Sequence, residues 1–472
     1  MSTDLWPAPL ATTPIDAVVV IPGSKSLTAR ALLLASLAEA PSRLSGVLDS
    51  RDTRLFAQAL RMLGGAVNDD GAGNVIVEPL PYIAVSRNQR DFTEPGVSTE
   101  RGSHTDAATI HIDCGLAGTV MRFLPPIATL TTHKVHFDGD PAARRRPLAP
   151  LLDALERLGA QITYDGAPGF LPFTICGPVE SPPGGVLEVD AAASSQFVSA
   201  LLMFAPAFNE PLTLRAAGEV VSLPHIEMTV DALQRRGVKV IQSRHEGRLQ
   251  WSVTPARINA LHEHIEPDLS NAGPFLAAAH LSGGRVTIPA WPEHTTQAGD
   301  AWRRILPRLG ATITVDEAGL HLQGPGQGMY DGIDIDLSAV GELTPTLAAL
   351  LLFARTPSTI VGVAHLRGHE TDRLAALVEQ IRRLGGDATE RPDGIRIIPR
   401  PLKGTRLATY EDHRMATFAA IVGLGVPDIE VENIGTTSKT LPNFAHMWHT
   451  MLAAPTHEAA PTRHAGQVEG GR

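Results

Sequence analysis

A lysine stands between two serines, Ser24-Lys25-Ser26, where a β-branched run breaks at Pro22-Gly23 and an apolar helical pattern begins. A helix N-terminus offers unpaired N–H groups and partial positive charge. An ammonium and two hydroxyls added there make a site for an anion such as phosphate. A plain capped start would need one serine. The spacing is not that of a P-loop, which requires G-x-x-x-x-G-K-[ST]; here Ser24 separates Gly23 from Lys25. The signature returns at Ser438-Lys439-Thr440. Lysines are few among the 40 cationic residues: Lys25, Lys134, Lys239, Lys403 and Lys439. Two of them in near-identical polar settings therefore carry weight, since an ammonium, unlike a guanidinium, can share its proton near neutrality.

Further turns carry the same theme. "DCGLAGTVMRF" sets Gly115, Gly118 and Thr119 before Arg122, and glycines there let backbone N–H groups approach a ligand. "GDPAARRRPL" holds Arg146 best of its three arginines, because Pro147 fixes the turn beside it. "VDAAASSQFVSALL" offers Ser194, Ser195 and Gln196, and "VVSLPHIEMT" offers Ser222 and His225. "HLRGHETDRLAAL" is the densest cluster, with Glu370 and Arg373 on one helix face. "TYEDHRMATFAA" leads into a helix with Asp412, His413 and Arg414. Read singly, each is a capped turn or a solvated charge run. Read together, nearly every helix start carries cations or hydroxyls. If these starts converge, the ligand carries several negative charges, such as two phosphates or a phosphate with carboxylates, which arginines grip in bidentate fashion. His365-x3-His369 has no third ligand at a telling spacing, so no metal is expected.

The elements that must position these turns repeat. "LRMLGGAV", "LERLGAQI", "LQRRGVKV", "LPRLGATI" and "IRRLGGDA" each end an amphipathic helix on a C-cap glycine before a short strand. An apolar helix such as "TVMRFLPPIATL" or "TPTLAALLLFA" precedes each. The pattern predicts six strand–helix–strand–helix–strand units, three to a domain. "LHEHIEPDLSNAGP" (261–274) is the expected crossing between domains. Segment 81–109 is polar and aperiodic, and reads as a mobile insertion. Residues 454–472 read as a disordered tail.

With 472 residues the chain is long enough for two to four domains. The net charge of −10 argues against a nucleic-acid surface. There is no apolar run of the roughly 18 residues a membrane span needs, and the first residues lack the pattern of a signal peptide. Two cysteines, Cys114 and Cys176, make neither a disulfide framework nor a metal cluster. A cytoplasmic enzyme or binding protein is expected.

"PGSKSLTARALLLA", "LAGTVMRF", "DPAARRRPL", "SSQFVSALL", "GHETDRL", "EDHRMA" and "SKTLPNF", in that order and spacing from about Val18 to Ala453, resemble the 5-enolpyruvylshikimate-3-phosphate synthases. The resemblance implies a two-domain, inside-out α/β barrel-like fold of six βαβαββ units, with residues 24–265 as one domain and 1–23 with 266–453 as the other. It implies transfer of the enolpyruvyl group of phosphoenolpyruvate to the 5-hydroxyl of shikimate 3-phosphate, on the route to chorismate and the aromatic amino acids. No cofactor, metal, nucleic acid or membrane is implied, and the family suggests a monomer. Ser26, Arg30, Ser194, Ser195 and Ser222 would hold shikimate 3-phosphate, and His369 would be a substrate contact. Lys25, Gly118, Arg146, Gln196, Arg373, Arg414 and Lys439 would hold phosphoenolpyruvate. Glu342 would take the hydroxyl proton, and Glu370 with Lys25 would move the proton to and from the methylene carbon. Gly118 implies sensitivity to glyphosate.

This chain departs from the family pattern at several places. Leu116 replaces a usual Asn and Phe123 a usual Pro; Glu342 replaces Asp; His225, His365 and His369 replace an aromatic residue, Asn and Lys. His369 is expected to respond to pH in contact with substrate. A sister transferase acting on UDP-N-acetylglucosamine, which relies on a loop cysteine, and a non-catalytic anion-binding protein are the alternatives. Glu342 and Glu370 among so many cations argue against the second, because carboxylates weaken anion binding.

Overall fold

The computed structural model describes residues 5–81, 109–131, 133–192 and 194–454. The expected insertion at 81–109 and tail at 454–472 lie, their bordering residues apart, outside the described residues.

Among the described residues, short strands pair into six sheets. Five have four strands and one order. In the sheet built on Leu212–Ala217, that strand runs parallel to Val186–Asp190 and antiparallel to Arg248–Val253, which in turn pairs antiparallel with Val240–His245. The sixth sheet is shorter: Glu430–Glu432 runs parallel to Arg406–Leu407 and antiparallel to Leu5–Pro7.

The repeated glycine ending has a physical cause. Gly64, Gly159, Gly237, Gly310 and Gly385 follow helix ends with φ between +82° and +100°, a region that penalises any Cβ. The chain stops its helix there and turns directly into the next hairpin.

Helices Lys25–Ser36, Gly118–Ala128 and Ser195–Phe204 are buried almost all round. So are Leu269–Ser282, Thr344–Leu351 and His413–Gly423. A helix apolar on every face belongs inside a core. The buried apolar side chains sort into two clusters. One runs from Leu27 to Ile265. The other joins Ile15–Ile21 to Leu269–Met451.

The chain passes between these clusters twice. His262–His264 pairs with Ser42–Ser45, and Asp16–Val18 with Arg285–Ile288. The passing segments are zipped together: Gly23 bridges Pro267, Ser24 N donates to the Glu266 carbonyl at 2.8 Å, and Asp268 N to the Pro22 carbonyl at 2.9 Å. Lys25 and Asp268, both at helix starts, emerge side by side from this crossing. No helix among the described residues is long and apolar enough to cross a membrane.

Candidate active site

The first turns of seven helices open onto one cleft. They begin at Lys25, Gly118, Ser195, Leu223, Leu269, Arg373 and His413. Their dipoles bring positive ends toward one space. Lys25, Arg122, Arg146, Arg373 and Arg414 line it, together with the carboxylates Asp268, Glu342 and Glu370.

Lys25 is the first residue of its helix, capped by Ser24, whose Oγ accepts from Leu27 N at 3.4 Å. Its backbone N–H goes to Asp268 Oδ2 at 3.2 Å, and its Nζ lies 3.5 Å from Asp52. Burial lowers its pKa, and Lys439 adds to this, against the pull of Asp52, Glu370 and Asp268. A lysine so placed gives up its proton more readily than one in water.

Arg146 is 8% exposed, its Nε has no hydrogen-bond partner, and its Nη1 reaches only the Leu116 carbonyl (3.4 Å) and Met121 Sδ (4.0 Å). Arg122 gives one Nη to Gln196 Oε1 at 2.9 Å, leaves its Nε unpartnered and lies over the Phe197 ring. Burial, then Arg146, weakens its hold on the proton. A Cβ on Gly118 would sit 3.1 Å from Arg146 Nη2 and 3.5 Å from Arg122 Nη1. Two guanidiniums thus meet at a bare backbone, and buried donors without partners are costly unless a ligand supplies acceptors.

Glu370 is a hub. Its Oε1 accepts from Lys439 Nζ at 2.5 Å and its Oε2 from Arg373 at 2.9 Å. Burial raises its pKa, but Lys439, Arg373, Arg146 and His413 outweigh that and hold it well below the usual carboxylate range. Arg373 also makes a two-point pair with the fully buried Asp412, at 2.8 and 3.2 Å. Asp412 caps its own helix as well, accepting from Arg414 N at 2.8 Å.

Glu342 stands in a short 3-10 turn, Gly341–Leu343. Its Oε1 accepts from Ser270 Oγ at 3.4 Å and lies 3.6 Å from His225 Nε2. Burial pushes its pKa up, but His225 and then Arg414 prevail and bring it to about 2. Ser222, just before the His225 helix, has left-handed φ and ψ of 50° and 49° and makes no capping bond, so its hydroxyl is left for the cleft. Its N–H reaches the Ser338 carbonyl in the other half at 3.4 Å.

The structure therefore brings Lys25, Ser26, Gly118, Arg146, Ser194, Ser195, Gln196, Ser222, Glu342, His369, Glu370, Arg373 and Arg414 to one cleft. Lys439 joins through Glu370. Arg30 does not line the cleft. It is 2% exposed, and its guanidinium donates to Thr229 Oγ1, Ser199 Oγ and the carbonyls of Ser26 and His225. It staples the walls rather than facing the space. His369 also differs from expectation: burial, then Arg373, pushes its pKa well below the ordinary range, and its Nδ1 faces Arg373 Nη1 at 3.1 Å. It is a neutral partner rather than a pH sensor near neutrality.

Sequence reasoning left out Asp52, Asp268, Asn271 and Gln297 as site-forming residues, and named Asp412 only as the head of its helix. Asp268 and Asp412 had a readable signal, an acidic N-cap before an apolar helix. Asp52 had none, because its link to Lys25 is purely tertiary.

Buried histidines give the fold an acid-sensitive term. His280 is fully buried with both ring nitrogens unpartnered, edge-on to Tyr330, and burial lowers its pKa to about 4. Burial likewise depresses His365, His369 and His413. Below about pH 6.5 the unfolded chain binds protons that the folded one refuses, so stability falls with pH, by up to about 1.4 kcal/mol per unit for each group. The urea midpoint should drop between pH 7 and pH 5, and drop less in His280→Phe. A flat profile would contradict this account.

Comparison with known proteins follows the same lines. A family model for EPSP synthase (3-phosphoshikimate 1-carboxyvinyltransferase) matches residues 10–448. A 3-phosphoshikimate 1-carboxyvinyltransferase of Kocuria rhizophila is 49% identical over 454 residues, 96% of this chain and 97% of its own. Two structures of EPSP synthase from Acinetobacter baumannii superpose with TM-scores of 0.74 and 0.73, at 20% and 19% identity, covering 95% of this chain and 98% of theirs. At that identity they speak to the fold alone.

Proposed function

Because this chain belongs to the EPSP synthase (3-phosphoshikimate 1-carboxyvinyltransferase) family, it transfers the enolpyruvyl group of phosphoenolpyruvate to the 5-hydroxyl of shikimate 3-phosphate with release of phosphate, and we propose the following division of labour in its cleft. The observation that carries it is the gathering of cationic helix starts around two cation-held carboxylates, Glu342 and Glu370.

Ser26, Ser194, Ser195 and Ser222 hold shikimate 3-phosphate, with His369 beside them. Arg30 acts behind them, fixing Ser26 and His225 through their carbonyls. Lys25, Gly118, Arg146, Gln196, Arg373, Arg414 and Lys439 hold phosphoenolpyruvate. Glu370 and Lys25 pass a proton to the methylene carbon, leaving a cationic, oxocarbenium-like carbon at C2. The 5-hydroxyl oxygen bonds to that carbon as Glu342 receives its proton. Phosphate departs as the methyl carbon returns a proton to the same pair. Nearby carboxylates stabilise the passing positive charge, and they become stronger bases once anionic ligands neutralise the cations that hold their pKa values down.

The two apolar clusters form two domains, 24–265 and 1–23 with 266–453, which close on substrate. The contacts of Ser222 with Ser338 and of His225 with Glu342 support a closed arrangement. The enzyme works as a cytoplasmic monomer on two small molecules.

Phosphate release should appear with phosphoenolpyruvate plus shikimate 3-phosphate and not with UDP-N-acetylglucosamine; the reverse result would overturn the assignment. Neither cysteine lines the cleft. Cys114 is fully buried, and burial with Asp113 raises its thiol well above the ordinary range, the opposite of what a reactive cysteine needs.

Gly118→Ala offers a test of the phosphoenolpyruvate wall. The new Cβ lies 3.1–3.2 Å from both terminal nitrogens of Arg146, so the guanidinium must shift by a few tenths of an ångström. Weakening one charge-assisted contact should raise the KM for phosphoenolpyruvate about tenfold, with kcat little changed. An unchanged KM would remove Gly118 from that wall.

A further inference from the structure

The hydroxyl proton needs a better resting place than Glu342. Ser270 Oγ and Arg414 favour the ionised carboxylate, whereas a general base works best when its proton affinity matches the working pH. His225 Nε2 lies 3.6 Å from Glu342 Oε1. Both residues line the cleft beside Ser222, Ser194 and Ser195. The distance is beyond a hydrogen bond, as catalytic pairs without substrate often are. The charged and titratable groups around the pair are known. Arg30 donates to the His225 carbonyl at 2.8 Å from the Lys25–Ser36 helix. His365 interacts with both partners, and Arg373 and Arg414 with Glu342. The other three cleft histidines are poor acceptors: burial acts against charging His365, His369 and His413, Arg373 adds to this at the first two, and His369 Nδ1 already faces Arg373. Imidazole is the side chain whose ordinary range spans neutral pH.

We propose that His225 is the final acceptor of the proton leaving the 5-hydroxyl of shikimate 3-phosphate, with Glu342 as the relay between them. The O–H bond breaks as the oxygen–C2 bond forms. The proton passes to the Glu342 carboxylate and from it to the unprotonated Nε2 of His225, which leaves Glu342 ionised and His225 an imidazolium. About a fifth of the His225 side chain is exposed, so water takes the proton before the next turnover. The dyad is a feature of this chain, built from two of its departures from the family pattern, and it rests on the function proposed above.

The test is His225→Gln, which keeps a hydrogen-bond donor near Glu342 and cannot take a proton. With kcat measured against pH, turnover at pH 7.5 should fall about 100-fold while the KM for shikimate 3-phosphate stays within about threefold of wild type. The acid limb of the wild-type profile should lie in the imidazole range and leave it in the variant. In His225→Gly, added imidazole should restore turnover. Unchanged kcat and acid limb, a rise in KM alone, or no rescue would overturn the proposal. If no variant folds, a wild-type kcat flat from pH 8 to pH 5 would overturn it, and an acid limb there that follows imidazole rather than carboxylate titration would sustain it. Wild type that releases no phosphate with shikimate 3-phosphate would instead sink the function on which the dyad rests.

Discussion

Glu370→Gln should cut kcat by about a thousandfold, within the range for loss of a proton-transfer group, while the KM for phosphoenolpyruvate stays level or falls. The two halves of that expectation come from one fact. Glu370 is a buried anion among cations, with Lys439 at 2.5 Å and Arg373 at 2.9 Å. For binding an anionic substrate it is a liability, since it repels the ligand and occupies two of the ligand's donors. Gln keeps the shape and one acceptor but drops the charge, so both cations turn toward the substrate. For the chemistry it is needed, because an amide cannot deliver a proton to the methylene carbon. Steady-state kinetics with varied phosphoenolpyruvate separate the two effects. Turnover within tenfold of wild type would remove Glu370 from proton transfer, and a large rise in KM would make it a binding residue.

Glu342→Gln should lower kcat by about 10²–10⁴, with a modest change in the KM for shikimate 3-phosphate. The side chain is buried, receives Ser270 Oγ and faces His225, so Gln fits the same space. What it loses is the negative charge opposite the forming carbocation and the relay for the hydroxyl proton. The pH dependence of stability should change too. The Glu342 carboxyl sits at about 2 in the folded chain, against about 4.3 in an unfolded one. Its ionised form therefore supports the fold above about pH 4.3, and that support is lost as pH falls toward 2. Urea midpoints at pH 5 and pH 3 should show a shallower fall in Glu342→Gln. Full turnover in this variant would remove the residue from the mechanism.

Local signals in the sequence were strong wherever a backbone conformation needs a particular residue. The five glycines with φ near +90° mark helix ends that the repeated glycine endings, four L-G and one R-G, make readable, and they lead directly to the repeated hairpins. The serine and aspartate caps mark the helix starts for the same reason. The convergence of those starts was legible only as an inference from their number. What stayed hidden depends on contacts between distant residues. Arg30 looks like a site residue because it lies one turn beyond Ser26, yet its guanidinium turns inward to Thr229 and Ser199, some 170–200 positions along the chain. Asp52 faces Lys25 from another helix altogether. His369 was expected to titrate near neutrality, but the burial and the Arg373 contact that prevent this follow from packing and not from its neighbours in sequence.

The crossed segments have a consequence for biosynthesis. Every strand paired in the three sheets of the Leu27–Ile265 half has been made once the ribosome passes His264. That half has all its pairing partners during translation, as domains that assemble in order of synthesis do. The other half cannot follow the same course. Asp16–Val18 is among the first segments to emerge, but its partner Arg285–Ile288 comes some 270 residues later, and Leu5–Pro7 waits for Glu430–Glu432 near the end. The nascent chain therefore carries an unpaired leading end for more than half of its synthesis, the last part of it beside a completed neighbour.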